Sequence, residues 1–221
     1  MEHIDVIFYI NLAHRTDRLA HIQVELQKLC QDSAKIYRIE ATYNKENGAL
    51  GCAYSHVEAL EKFQANTAWN TCLILEDDFQ FLSSDISENN STLREIIQTF
   101  PDWQAISLAY NPSNIESEKT HHTQIVKVCK HQMTTGYLIK RGDILPNLIK
   151  VFKKSIFNLK KLQRNLSIYN IDQIWKDIQP KYNWYTTYPP IGISISDYSD
   201  ICKMDVKYDI FDTIITSTSP F

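Results

Sequence analysis

No two cysteines of this chain form a CxxC pair, and its five, at positions 30, 52, 72, 129 and 202, are odd in number. Neither a disulfide framework nor a zinc knuckle is expected, and the thiols read as reduced and mostly buried. No apolar stretch is long enough to span a bilayer, and Met1-Glu2-His3-Ile4-Asp5 lacks a basic region followed by a long apolar core. The expectation is a soluble, cytoplasmic protein with no transmembrane segment. Basic residues do not dominate: 23 Lys and Arg stand against 26 Asp and Glu, for a formal charge of -3 and a pI near 6.2. Without a basic stripe, nucleic acid is not the expected partner, and Lys153-Lys154 and Lys160-Lys161 remain as local surface clusters. A Gly-rich phosphate loop with its Lys, an internal repeat and a low-complexity segment are also missing. The 221 residues suffice for one large α/β domain with a full core.

What the chain does have is Thr71-Cys72-Leu73-Ile74-Leu75-Glu76-Asp77-Asp78-Phe79, a short apolar run ending in three consecutive carboxylates. Such a run is expected of a strand buried on both faces of a mainly parallel sheet, and its carboxyl end opens onto the crevice where such sheets bind ligands. Three adjacent carboxylates repel one another, and a hard divalent cation, Mn²⁺ or Mg²⁺, would offset that repulsion. Glu76, Asp77 and Asp78 are therefore the candidate metal ligands. An extended chain would turn Glu76 and Asp78 to one side and Asp77 to the other.

Around this strand the pattern predicts alternating strands and helices. Residues 6–10 read as a first buried strand, followed by a polar turn and a helix with Leu19, Ile22, Leu26 and Leu29 on one face. Arg15 and Arg18 at that turn have the forked geometry to hold a diphosphate. A second strand is predicted over 36–39. A helix is then predicted to open at Gly51, where backbone N–H groups are free, with Ser55 and His56 in its first turn. Thr92 and Glu95 form a capping box predicted to start another helix, and residues 103–108 read as a strand. Residues 111–122 read as a loop, 123–128 and 134–140 as the two strands of a hairpin, and 155–166 as a basic connection after a helix. Gly136-Tyr137 is placed where backbone meets a bound sugar and a ring stacks on it, and Asp172 opens a short helix.

In order and spacing these pieces resemble glycosyltransferase family 25, which includes lipopolysaccharide-modifying and collagen galactosyltransferases. Tyr9-Ile10-Asn11-Leu12 with Arg15 and Arg18 is similar to its opening strand and turn, Gly51-Cys52 with Ser55-His56 to its Gly-Cys-x-x-Ser-His, and Leu75-Glu76-Asp77-Asp78 to its Leu-Glu-Asp-Asp. Thr135-Gly136-Tyr137, Asp172 and Ser199-Asp200-Ile201 extend the resemblance, which covers residues 5–201. Two departures stand out. Gly48-Ala49-Leu50 holds no acid before the Gly-Cys, and Phe79 stands where a small residue is usual, a change expected to reshape the donor pocket.

The resemblance implies a GT-A type single domain. Its nucleotide-sugar half would span about residues 1–110, its acceptor half about 111–203, and a tail 204–221. It further implies metal-dependent transfer, with inversion, of galactose or glucose from a UDP-sugar to a glycan, glycoprotein or lipid-linked acceptor. Asn11, Leu12, Arg15, Arg18, Ser55, His56, Gly136 and Tyr137 would then surround the donor. Asp172 is the expected base, with Asp197 or Asp200 behind it, and Asp200 could instead complete the metal shell. The alternatives are a catalytically silent sugar-nucleotide-binding module and a metal-dependent phosphoryl or nucleotidyl transferase.

Overall fold

Short apolar runs alternating with helical periods build an eight-stranded sheet covered by helices on both faces. The structure, a computed structural model, describes residues 3–29, 32–161 and 167–206. In chain order the first half comprises β1 (Val6–Asn11), α1 (Thr16–Gln27), β2 (Ile36–Glu40), α2 (Gly48–Ala65), β3 (Thr71–Glu76), β4 (Phe79–Phe81) and α3 (Ile86–Thr99). The second adds β5 (Ala105–Ser107), β6 (Glu116–Lys119), β7 (Ile125–Lys130), β8 (Gly136–Lys140), α4 (Ile144–Lys161), α5 (Ile171–Ile174), β9 (Trp184–Thr187), β10 (Gly192–Ser194), β11 (Asp197–Ser199) and β12 (Met204–Val206).

The main sheet has the order β2-β1-β3-β8-β5-β9-β7-β6. β1 lies parallel to β2 and β3, and β5 parallel to β9, whereas β8 opposes β3 and β5, and β7 opposes β9 and β6. Six strands thus point one way and β7 and β8 the other, which is the mainly parallel α/β sheet the sequence predicts. Alternate residues feed the two faces. Phe8, Ile74, Tyr137 and Ile139 pack with Ala53, Val57 and Phe63 of α2 and with Leu148 and Phe152 of α4. Ile7, Leu73, Leu75 and Leu138 pack with Ile22 and Leu26 of α1 and with Leu93 and Ile96 of α3.

Several local expectations are corrected. α3 starts at Ile86 on an Asp85 cap whose carboxylate accepts from Ser87 N, so Thr92 lies mid-helix with its hydroxyl donated back to Glu88 O. Residues 123–128 and 134–140 do not form a hairpin: β8 inserts between β3 and β5, and β7 pairs with β9 and β6. The buried, nearly uncharged β8 fits the sheet centre, and the half-polar β7 fits its margin. Residues 116–119 of the expected loop are the edge strand β6, and the basic connection is the second half of α4 as far as Lys161. The tail opens with β12, and residues 207–221 lie outside the described residues. The four described cysteines are free, but only Cys72 is fully buried; Cys202 is exposed.

Phe79 also departs from expectation. Its fully buried ring points into the core, with β-carbons added to Gly136 or Gly192 meeting it within 2.8 Å in the first case and closer in the second. These glycines form a slot for the ring, which also meets Phe81 edge-on at 4.8 Å. Phe79 therefore leaves the cavity described below untouched.

A buried polar chain crosses the far half of the sheet. Trp184 Nε1 donates to Ser107 Oγ (2.7 Å), Ser107 meets His131 Nε2 (2.5 Å), and His131 Nδ1 meets Gln132 O (2.6 Å). The carbonyl requires Nδ1 to carry the proton, so Nε2 accepts from the serine and the ring is neutral. Burial pushes His131 down to about 4. A His depressed in the fold favours the folded state above its ordinary range and withdraws that stability as pH falls from about 6.5 towards 4, by roughly 3 kcal/mol. His131→Asn should lower stability at pH 7 and flatten this acid limb in denaturant titrations. An unchanged limb would show that other groups set it.

Candidate active site

The carboxyl ends of β1 and β3, residues 133–135 just before β8 and the first turns of α2 surround a cavity of about 480 Å³, which residues 195–206 also line. Glu76 is the last residue of β3, and Asp77-Asp78 form the turn into β4. All three residues line the cavity, but of the three only Glu76 belongs to a group whose ligand atoms lie within 4.8 Å of one another, and its companions there are Cys52 and His56.

Each carboxylate has a distinct setting. Glu76 Oε1 accepts from Thr134 Oγ1 (2.7 Å) and meets His56 Nε2 (3.1 Å); burial opposes its ionisation, but His56 and Thr134 hold it below the usual range. Asp77 accepts from Asn11 Nδ2 (2.7 Å) and Arg18 (3.2 Å), and burial raises it. Asp78 accepts from Ser194 Oγ (2.7 Å) through one oxygen, while its other oxygen, Oδ1, is buried with no partner among the described residues. Burial, reinforced by the charge of Glu76, pushes Asp78 up to about 7. A buried carboxylate oxygen with no hydrogen-bond partner among the described residues is a donor of the kind that hard cations take.

His56 acts from within the core. Fully buried, it stacks on Tyr137 at 18° and bonds that hydroxyl through Nδ1 (2.9 Å), so Tyr137 fixes the ring that fixes Glu76. Tyr137 is itself fully buried, which leaves its ring no face for a sugar, and neither it nor Gly136 lines the cavity. Cys52, His56 and Glu76 bring ligand atoms within 4.8 Å of one another, with the Cys52 thiol pushed well up by burial and by Glu76.

α2 begins at Gly48, three residues earlier than predicted, with Asn47 as its cap, so Ser55 and His56 lie beyond its first turn. Ser55 Oγ accepts from Thr42 N and donates to Gly51 O, tying the preceding loop to the helix. A β-carbon on Gly48 would meet Asp200 O at 2.5 Å and Ile201 Cα at 2.8 Å, so the closing segment rests directly on the start of α2. That end is therefore shared between the closing segment and the cavity, which Gly48, Ala49 and Cys52 line.

Both arginines hold the closing segment. Arg15 reaches Asp17 (2.8 Å), Asp197 (2.7 Å) and Asp200 (3.0 Å) and stands outside the cavity lining. Arg18 lines the cavity, bonding Asp197 (3.2 Å), Tyr198 O (2.8 Å) and Asp77. Leu12 lines the cavity too, whereas Asn11 is buried and braces Asp77, Arg15 O and Arg38. Asp172 faces the cavity from α5, raised mainly by burial, with Met133 N at 3.5 Å. Met133 holds a left-handed backbone at φ 78, and the neighbouring Asn170 has a buried, unpartnered Oδ1 at the same wall.

Sequence patterning missed Ser194, Thr134, Cys52 and Asn170. Cys52 sat inside a recognised motif, but nothing local marks Ser194, which reaches Asp78 only through the β4–β10 pairing.

The chain shares its fold with UDP-glucose pyrophosphorylase. A solved structure of that protein with UDP-glucose superposes with a TM-score of 0.52 at 6% identity, over 83% of this chain and 90% of the other. A glycosyltransferase involved in glycosylation of the major capsid of PBCV-1 superposes with a TM-score of 0.48 at 12% identity, over 81% and 79%. No family model matches this chain, and no curated protein matches it. No helix among the described residues is long and apolar enough to cross a membrane.

Proposed function

We propose that this chain is a metal-dependent glycosyltransferase of the family 25 type, moving a hexose from a UDP-sugar to an acceptor hydroxyl with inversion. The observation that carries this reading is Asp78 Oδ1, buried and without a partner among the described residues, on a residue that lines a cavity large enough for a sugar nucleotide. Asp78 would hold Mn²⁺ or Mg²⁺ through Oδ1, and Asp77 could join only by giving up an oxygen now bonded to Asn11 or Arg18. Such a cation, when bound, neutralises the departing diphosphate as a Lewis acid. Arg18 would be the guanidinium to meet that diphosphate, because it lines the cavity and Arg15 does not. The fold shared with a UDP-glucose-binding enzyme agrees with this donor class.

Asp172 takes the role of base. Its burial keeps the carboxyl above the ordinary range, which strengthens it as a proton acceptor, and Asn170 Oδ1 beside it offers an acceptor site for a second sugar hydroxyl. Asp200 suits the role less, because Arg15 neutralises it at 3.0 Å. Incubation with UDP-galactose and UDP-glucose should release UDP with Mn²⁺ and fall to background with chelator. If UTP and a hexose 1-phosphate are consumed instead, with pyrophosphate exchange, the activity is nucleotidyl transfer. Mn²⁺-dependent UDP binding without any turnover would mark a silent module.

A further inference from the structure

α4 has two unlike faces. Leu145, Leu148, Ile149, Phe152 and Leu159 pack into the molecule. Lys150, Lys153, Lys154, Phe157, Lys160 and Lys161 are all exposed, and at 100° per residue they fall within an arc of about 120°. Phe157, in the middle of that arc, is 63% exposed. Ile168 is also 63% exposed, in a turn that Ser155 Oγ draws back against the helix by donating to Tyr169 O. Among the described residues only Lys153 of the five lysines has an ion pair, with Glu61 of α2, and Lys160 lies over the Tyr54 ring at 5.0 Å. A chain of net charge -3 thus gathers five cations and two bare apolar side chains on one surface.

The mixture narrows the partner. A protein-docking helix would present a continuous apolar stripe, a duplex-binding surface would have no use for exposed Phe157 and Ile168, and a single-strand surface would set several aromatic rings in a groove rather than one on a convex helix. An aromatic ring ringed by lysines matches the interface of an anionic bilayer, where the ring enters the headgroup layer and ammonium groups meet lipid phosphates. We propose that the exposed face of α4 docks the protein on an anionic lipid surface. Leu159 packs in one cluster with Ala49 and Ile201, and both of those line the cavity, so docking would bring that wall of the cavity towards the membrane. Resting on the transferase reading, this favours a lipid-linked acceptor.

Flotation of the full chain with vesicles tests the docking without turnover, so its failure would leave the transferase reading standing. The protein should float with phosphatidylcholine mixed equally with phosphatidylglycerol and stay behind with phosphatidylcholine alone. Lys150→Gln with Lys154→Gln and Lys161→Gln should weaken binding about 100-fold, and Phe157→Ser about tenfold. All four side chains are exposed, so both variants should keep the parent melting curve. Absence of flotation with anionic vesicles, or unchanged binding by the triple variant, would overturn the proposal. So would binding of RNA or DNA, single- or double-stranded, more tightly than vesicles, which would make the face a nucleic-acid surface.

Discussion

Asp78→Asn is expected to lower UDP-sugar turnover about a thousandfold, the scale of losing a cation's hold on a leaving diphosphate. The amide keeps an oxygen for Ser194 Oγ, so the turn that carries it should stand. The same variant should change the pH dependence of stability in a defined direction. An acid raised in the fold favours the folded state below its folded value and loses that advantage as pH rises from the ordinary carboxylate range through about 7. In chelator, Asp78 should therefore weaken the parent protein as pH rises over this window. Asp78→Asn should lack that loss and melt above the parent at pH 8, while Mn²⁺ should stabilise the parent alone. His131 acts with the opposite sign over nearly the same window, so the two effects offset in the parent and separate only in their variants. If Asp78→Asn turns over normally, or if Mn²⁺ stabilises both proteins equally, Asp78 does not hold the metal.

Phe79→Ala should cost about 4 kcal/mol, because it empties a fully buried slot between Gly136, Gly192 and the Phe81 ring. For a chain of this size that corresponds to a melting point lower by roughly 10 °C. The slot gives a sharper test than the single substitution. Gly136→Ala alone should destabilise, since its β-carbon meets the Phe79 ring at 2.8 Å and after it the Leu75 side chain, but in the Phe79→Ala background it should be neutral or restorative. Additive effects in that cycle would mean that the glycine and the ring do not share one space. Because Phe79 directly follows Asp78, the variant should also lose turnover by loosening the turn that places the carboxylates.

β1 and β3 were legible because strands buried on both faces must be apolar throughout, and that leaves a run in the sequence. The body of α2 was legible from the spacing of Ala53, Val57, Leu60 and Phe63. Its start was not, because a lone Asn cap before Gly48 resembles any polar loop. The capping-box pattern at Thr92 misled for a related reason: the same residue types occur inside helices, where the hydroxyl bonds the previous turn. The β7–β8 pairing failed because adjacency in sequence favours hairpins, whereas β8 is claimed by β3 and β5. At the site, the acidic triplet declared itself through charge repulsion at a strand end. The roles of Arg15, Arg18 and Tyr137 depend on which atoms already occupy them, and that is set by contacts across the whole chain.

β3 finds β1 early in synthesis, but its other neighbour ends only at Lys140. Until then a nascent chain on the ribosome holds an apolar strand with one row of amides and carbonyls bare, the kind of edge that recruits other chains. A fragment ending near residue 110 should therefore precipitate where the whole protein stays dispersed. Chaperones that shield nascent chains would have most to do between the emergence of Glu76 and that of Lys140.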